Sequence, residues 1–475
     1  MTERRDRRSR LLTVGVAAAV AIAFADSSIV VLALPSLYSA LHTSVVGVSW
    51  VITSYNLVVA VTAFALLAGI GRIGVAVLTR AGMALFAAGS IGCALSGAIG
   101  ILIAFRCVQG AGAAMLLAGA LELLCALTGS RSRGLAVWIA AGTFGAAVGP
   151  ALGGILTQAF DWPAIFVFQA PVALVGLVAA FESHAQPDAA AQLDTAAQLD
   201  TAAQPDTAAR PEPADAGSSR TAANVALGLL FGALVGALFL AVLLVINGWG
   251  LSPIAGAAVV SALPLAALAA RRLAGELSTR AATTAGSLLM AAGLVALALL
   301  PAVSIAIVVF ALALCGVGMG LAVPALTGAA VAPDARLTRH GSVTIGARHV
   351  GLVLALVLVA PLLSHDLERG SQNALLSGTR VLLNADVPIR QEVPIAVDLG
   401  RVVEHTPRGT VPDLAQPFNK RGAAHDAVLR HARDSLVGAI KDAITRSFRP
   451  SLLLCAALAA LALIPILLLR RRGTP

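Results

Sequence analysis

Asp26 stands in "AIAFADSSIVVLALP", residues 21–35, among alanines, valines and leucines. A carboxylate at the centre of an apolar helix costs about 2.5–3.5 kcal/mol on insertion scales, so it implies a partner or a functional proton. Arg106, in "FRCVQGAGAA", is the candidate partner. Asp26 lies eight residues from Leu34, the end of the first apolar run, and Arg106 lies seven residues from Ile99, the start of the fourth. At ~1.5 Å rise per residue, both sit roughly 10–12 Å below the same surface. A carboxyl that meets a guanidinium in one conformation and leaves it in another changes its hold on a proton, which is what proton coupling requires. The alternative is a static ion pair that fixes two helices. Gln109, one turn from Arg106 on nearly the same face, is expected to hold substrate or to orient Arg106.

Glu122 follows Arg106 by sixteen residues, which rotates it to roughly the opposite face at ~100° per residue. It is expected to line a substrate cavity near the inner end of its helix, or to pair with Arg131 or Arg133. Arg348 and His349 are expected near the inner end of a later helix, as a snorkelling interfacial pair. Gly142, Gly145, Gly149 and Gly153 recur on one helix face, and Pro150 removes a backbone bond beside them. With Gly154 they imply a kinked, close crossing between the halves that serves as hinge and seal. The five cysteines are dispersed in apolar runs and have no metal-ligand spacing. No Gly-rich run ends in Gly-Lys-Ser/Thr, no metal cluster and no catalytic triad appears, so neither an enzyme nor a cofactor is expected.

The elements that must position these residues are membrane helices. Of 475 residues, 58% are hydrophobic and 12% charged, against about 25% charged in soluble domains. Apolar runs fall at 11–34, 49–69, 75–96, 99–127, 133–157, 164–181, 225–247, 252–270, 282–300, 303–331, 342–363 and 450–469. Twelve spans are therefore predicted, each near the ~20 residues that cross the hydrocarbon. The arginines of the short loops all fall on one side when the chain start is placed inside, including Arg72, Arg80, Arg131, Arg133, Arg280 and Arg339. This positive-inside pattern predicts both termini in the cytoplasm of a cell with its multi-pass protein in the plasma (inner) membrane. The basic start "MTERRDRRSR" runs straight into the first span without a small-residue cleavage site, so no cleaved signal is expected. The net charge of +9 forms no groove-like patch, which argues against nucleic acid.

The spans divide into an N-terminal six-helix half, 1–181, and helices 7–11 of a second half, 225–363. The connecting segment 182–224 carries a six-residue unit with few large apolar residues, and reads as an acidic disordered cytoplasmic linker. The segment 364–449 is expected outside as a small α-rich cap that can receive a protein partner; residues 450–475 supply the last helix and a basic tail. In the cap, Leu429, Leu436, Ile440, Ile444 and Phe448 fall at helical spacing and predict an amphipathic helix. The halves echo each other: "GAGAAMLLAGAL" at 110–121 aligns with "GVGMGLAVPALT" at 316–327. The fold expected is all-α, with two pseudo-symmetric halves that rock about a midplane site.

On these motifs the chain resembles the major facilitator superfamily, and within it the drug:proton antiporter branch that usually has fourteen helices. "DSSIVVLALP", "WVITSYNL", "FRCVQGAGAA", "GAAVGPALGG", "WPAIFVFQAP" and "IGARHVG" are similar to that branch's motifs. The resemblance implies proton-coupled efflux of amphipathic or hydrophobic small molecules, driven by the proton gradient, through a pocket lined by helices one, four, seven and ten. Few aromatics (4%) imply limited stacking in that pocket. The family's gating loop between helices two and three contains an aspartate. Here "GIGRIGVAVLTR" keeps Arg72 and Gly74 without it, and the second-half loop "RRLAGELSTR" offers Glu276 and Arg280. Uptake symport and a non-transporting or lipid-handling scaffold with a partner-binding outer segment are the alternative readings.

Overall fold

A computed structural model describes residues 2–69, 73–184, 214–274, 277–331, 337–383, 389–405, 415–421, 423 and 426–469. Among the described residues, twelve helices are long and apolar enough to cross a membrane, and there is no β-strand. The first half comprises α1 (Thr2–Ala40), α2 (Val45–Gly69), α3 (Val75–Ala94), α4 (Ile99–Thr128), α5 (Arg131–Phe160) and α6 (Ala164–His184). The second begins with α7 (Ala214–Val242), which closes on a π-helical turn over Leu243–Gly248. The described parts of the connecting segment, residues 182–184 and Ala214 onward, are helical and continue the sixth and seventh spans; the disordered linker expected between them falls on residues 185–213, outside the described residues. The eighth span is split between α8 (Pro253–Val260) and α9 (Ala262–Ala274); α10 (Thr279–Ala298) and α11 (Ile305–Ala330) follow.

Serine caps start several of these helices. Ser130, Ser252, Ser278 and Ser304 each accept a hydrogen bond from the backbone N–H three residues on, satisfying a donor the helix cannot. The eleventh span, α12 (Leu337–Leu383), runs unbroken past the membrane boundary expected near residue 363. Beyond it lie α13 (Ile389–His405), α14 (Gln416–Asn419) and α15 (Ala427–Ser447), so the described outer segment is α-rich as expected. α15 buries Leu429, Leu436, Ile440 and Ile444. Trp249, at the end of the seventh span, donates its Nε1–H to Thr445 at 3.0 Å, which docks the cap on the bundle. The last span is α16 (Arg449–Leu461) with α17 (Leu463–Leu467).

The internal repeat holds at the level of packing. Gly110 meets the Tyr55 carbonyl on α2, and its counterpart Gly316 meets the Leu263 carbonyl on the eighth span. Gly112 meets Phe86 on α3, and Gly318 meets Met290 on α10. Each aligned glycine lets two backbones approach where a Cβ would intrude. The halves touch along α2 with α12 and along α5 with α8. Gly346 lies against Phe64, Gly154 against Ala257, and Gln158 accepts a hydrogen bond from the Ile254 N–H at 2.9 Å.

Candidate functional site

Asp26 is wholly buried and faces α4. Arg106 Nη1 donates to Asp26 Oδ1 and Nη2 to Oδ2, each at 2.7 Å. Arg106 Nε donates to the Val51 carbonyl on α2 at 2.9 Å. The guanidinium lies 4.2 Å from the Tyr55 ring centroid and 5.7 Å from that of Phe166. A guanidinium fork meeting a carboxylate through two parallel bonds is the strong form of this pair, and the ring faces add attraction to the cation. The equal depth read from the sequence thus corresponds to direct contact.

Gln109 accepts from Arg106 Nη1 at 2.6 Å and donates to Ser90 Oγ at 2.8 Å and Gln169 Oε1 at 2.6 Å. It orients Arg106 and ties it to α3 and α6. It is wholly buried inside the first half and is not among the residues lining the cavity between the halves. Glu122 likewise does not line that cavity, and Arg131 lies close enough to act on its charge, the local partner expected for it. It is 4% exposed, and accepts a hydrogen bond from Thr338 at the start of α12 at 3.1 Å. This hydrogen-bond partner is 216 residues away in the chain, so local spacing held no sign of it.

The cavity lies between the halves at mid-depth, lined from α1, α5, α7, α9, α11 and α12. Helices one, seven and ten contribute as expected. The fourth helix does not, because its polar side chains turn onto α1, α3 and α6, and the fifth, eighth and eleventh spans take its place. Three rings gather there, Phe24, Trp138 and Phe231, contrary to the limited stacking expected from composition. Phe24 and Trp138 meet edge to face at 5.1 Å between centroids.

Arg348 and His349 are also corrected. Neither snorkels at an interface. α12 begins at Leu337, five residues before the expected start, so Arg348 is its twelfth residue and lies some ~16 Å along it at 1.5 Å per residue. Both residues line the cavity. The Arg348 guanidinium lies 4.6 Å from the Phe24 ring centroid and 3.8 Å from that of Phe231. His349 Nδ1 is 2.7 Å from Asn56 Oδ1 on α2. Asn56 Nδ2 donates to the Ile52 carbonyl at 2.8 Å and to Ser27 Oγ at 3.2 Å. The amide oxygen therefore faces the imidazole, and a hydrogen bond between them calls for the proton on Nδ1 of His349.

Ser27 lines the cavity while its neighbour Asp26 points away into the first half. The buried ion pair is thereby one residue behind the cavity wall. Asn56 and Gln169 lay unremarked inside the motifs "WVITSYNL" and "WPAIFVFQAP"; a polar amide in an apolar span is the signal that marks them.

The glycine face of α5 needs a different reading. Gly142, Gly145, Gly149 and Gly153 pack on Phe24, Ala21, Ser28 and Ile29 of α1, within one half. Only Gly154 meets the other half, at Ala257 and Pro253. Pro150 is buried in the same helix. The motif is chiefly a close seam inside the first half, with one residue at the seal between halves. Gly74 immediately precedes α3 and Arg280 lies in the first turn of α10. Arg72 and Glu276 lie outside the described residues.

The family description "Major Facilitator Superfamily" matches residues 16–360. A methylenomycin A resistance protein of Streptomyces coelicolor is 33% identical over 193 residues, 38% of this chain and 40% of that protein. A tetracenomycin C resistance and export protein of Streptomyces glaucescens is 35% identical over 34% of this chain and 31% of its own length. A putative multidrug resistance protein, MdtD, of Salmonella typhi is 37% identical over 33% of this chain and 34% of its own. These matches span two fifths or less of each relative. Among solved structures, a bacterial homolog of the human lysosomal transporter Spinster matches with TM-score 0.58 at 13% identity, over 98% of this chain and 99% of that one. A D-xylose-proton symporter matches with TM-score 0.55 at 13% identity, over 73% and 88%; both likenesses concern the fold alone. With two six-helix halves that repeat down to their packing glycines, and a family match over residues 16–360, the chain belongs to the major facilitator superfamily.

Proposed function

We propose that this protein is a proton-coupled exporter of amphipathic or hydrophobic small molecules that works by alternating access from a plasma membrane, with both termini in the cytoplasm. The observation that carries this reading is the Asp26–Arg106 pair. It is sealed from solvent, yet stands one residue behind a cavity between two halves built to rock. Both residues belong to the first half, so rocking acts on the pair only by shifting α1 against α4 or by opening the cavity wall at Ser27; a carboxyl parted from its guanidinium takes up a proton more readily. The resistance and export roles by which relatives are named favour efflux over uptake. Asp26 and Arg106 are the coupling pair, Gln109 positions Arg106, and the proton gradient is the energy source, with no cofactor.

Transport into proteoliposomes under an imposed pH gradient, read with a panel of lipophilic compounds, tests direction and coupling together. Movement of a compound against the proton gradient, lost in Asp26→Asn, is expected. Compound movement that ignores the gradient, or persists with Asn at position 26, would contradict proton coupling.

A further inference from the structure

Arg348 is the one fully charged side chain lining the central cavity, among the described residues. The remaining lining is apolar apart from Ser27, Ser28, Thr143, Thr327 and His349, and includes neither Asp nor Glu. The guanidinium is held between two ring faces, at 4.6 Å from Phe24 and 3.8 Å from Phe231. Ring faces attract a cation but neutralise none of its charge. A cation in a low-dielectric cavity is favoured most by an anion at close range. A second observation points to the same chemistry. Thr327 is 2% exposed and lines the cavity, and its hydroxyl has no hydrogen-bond partner among the described residues. A buried hydroxyl without a partner is rare and invites one from a ligand.

We infer that the cavity binds an amphipathic organic anion, in the simplest case a carboxylate. Its oxygens would meet Arg348 and the Thr327 hydroxyl, and its apolar body would lie against Trp138 and Phe24. An Arg fork is geometrically suited to two oxygens of one carboxylate. A lipophilic cation finds aromatic faces in the same cavity but also a fixed positive charge and no counter-ion. This inference rests on the central cavity being the substrate site and adds the charge class of what enters it.

The test uses three probes of one skeleton: 1-naphthaleneacetate, its neutral amide, and the (1-naphthylmethyl)trimethylammonium cation. Binding to the full chain in lipid nanodiscs is measured by calorimetry. Charge-assisted bonds are about twice as strong as neutral ones, so the acid is expected to bind about tenfold tighter than the amide, with the cation weakest. Arg348→Gln is expected to erase the preference for the acid and leave the amide within about twofold. Arg348→Lys, which keeps charge but not the fork, is expected to retain part of that preference, and it serves if the Gln variant fails to fold. Acid bound no tighter than amide by the native chain, including no binding of either, would overturn the inference. So would an unchanged preference in both variants. The same probes in proteoliposomes separate the two ideas. Acid that binds through Arg348 but is never moved by a pH gradient overturns the transport reading and leaves the anion site standing. Transport of the cation or amide with no acid binding does the reverse.

Discussion

Asn56 on α2 and His349 on α12 are joined by a 2.7 Å hydrogen bond that crosses from one half of the protein to the other at the cavity wall. Asn56 in turn holds Ser27, the neighbour of Asp26. One amide therefore touches both the seam between the halves and the helix turn that carries Asp26.

That bond has a measurable strength. Asn56→Ala, His349→Ala and the double variant are expected to show a coupling of about 0.5–1.5 kcal/mol in a double-mutant cycle of unfolding. Spin-label distances between the halves are expected to lengthen on the side where the bond breaks. Additive effects of the two substitutions would mean that the contact contributes nothing.

Breaking the Asp26–Arg106 pair from one side leaves a buried charge alone. Asp26→Asn is expected to cost about 3–5 kcal/mol of stability, while Asp26→Asn with Arg106→Gln recovers much of that. Proton-driven transport is expected to be absent from both. A double variant that regained stability and transport together would show the pair to be a structural brace only.

Two glycines of α5 separate stability from conformational balance. A Cβ at Gly145 would run into the Ala21 carbonyl of α1 inside one half. Gly145→Val is therefore expected to destabilise the fold by about 1–3 kcal/mol. Gly154 meets Ala257 and the Pro253 carbonyl of the other half, so Gly154→Val is expected to hold that seam apart. Cysteine accessibility on this face of the bundle is the readout. Equal loss of folded protein in both variants would erase the distinction.

The outer cap carries a pH-dependent tie. Arg421 Nη2 donates to Asp398 Oδ2 at 2.6 Å, and this bond holds the Asp398 carboxyl below its ordinary range. A carboxyl held low in the folded state contributes stability that is present above its unfolded pKa and lost as pH falls through its folded one. Corrected for the intrinsic pH dependence of exchange, amide protection over Ile389–His405 is expected to fall in that acidic window in the native chain. With Asp398→Asn the protection should be lower at neutral pH and lack the step.

The sequence made the spans legible because lipid demands long apolar runs, and it made the Asp26–Arg106 contact legible because helical rise converts position into depth. The α15 face was likewise readable from Leu429 to Ile444, whose spacing is the fold's own period. Arg348 was misplaced by a boundary. Polar residues from Leu337 to Thr344 look like loop, yet Thr338, Ser342 and Thr344 are buried in helix. Glu122 with Thr338 and Asn56 with His349 were unreadable for another reason. Their partners lie across the two halves, and one sequence holds no record of which faces meet. The glycine face of α5 was recognisable as a close-packing surface, but its neighbour, α1 rather than the second half, depended on how α5 is rotated.

The cation at Arg348 also bears on how the proposed transporter would feel the electrical gradient. A carboxylate expelled as a proton enters moves two positive charge equivalents inward per turnover. With the cell interior negative, each charge adds about 2.3 kcal/mol per 100 mV. Such a pump would run on voltage even when the two sides share one pH, and a potassium diffusion potential alone would set it in motion.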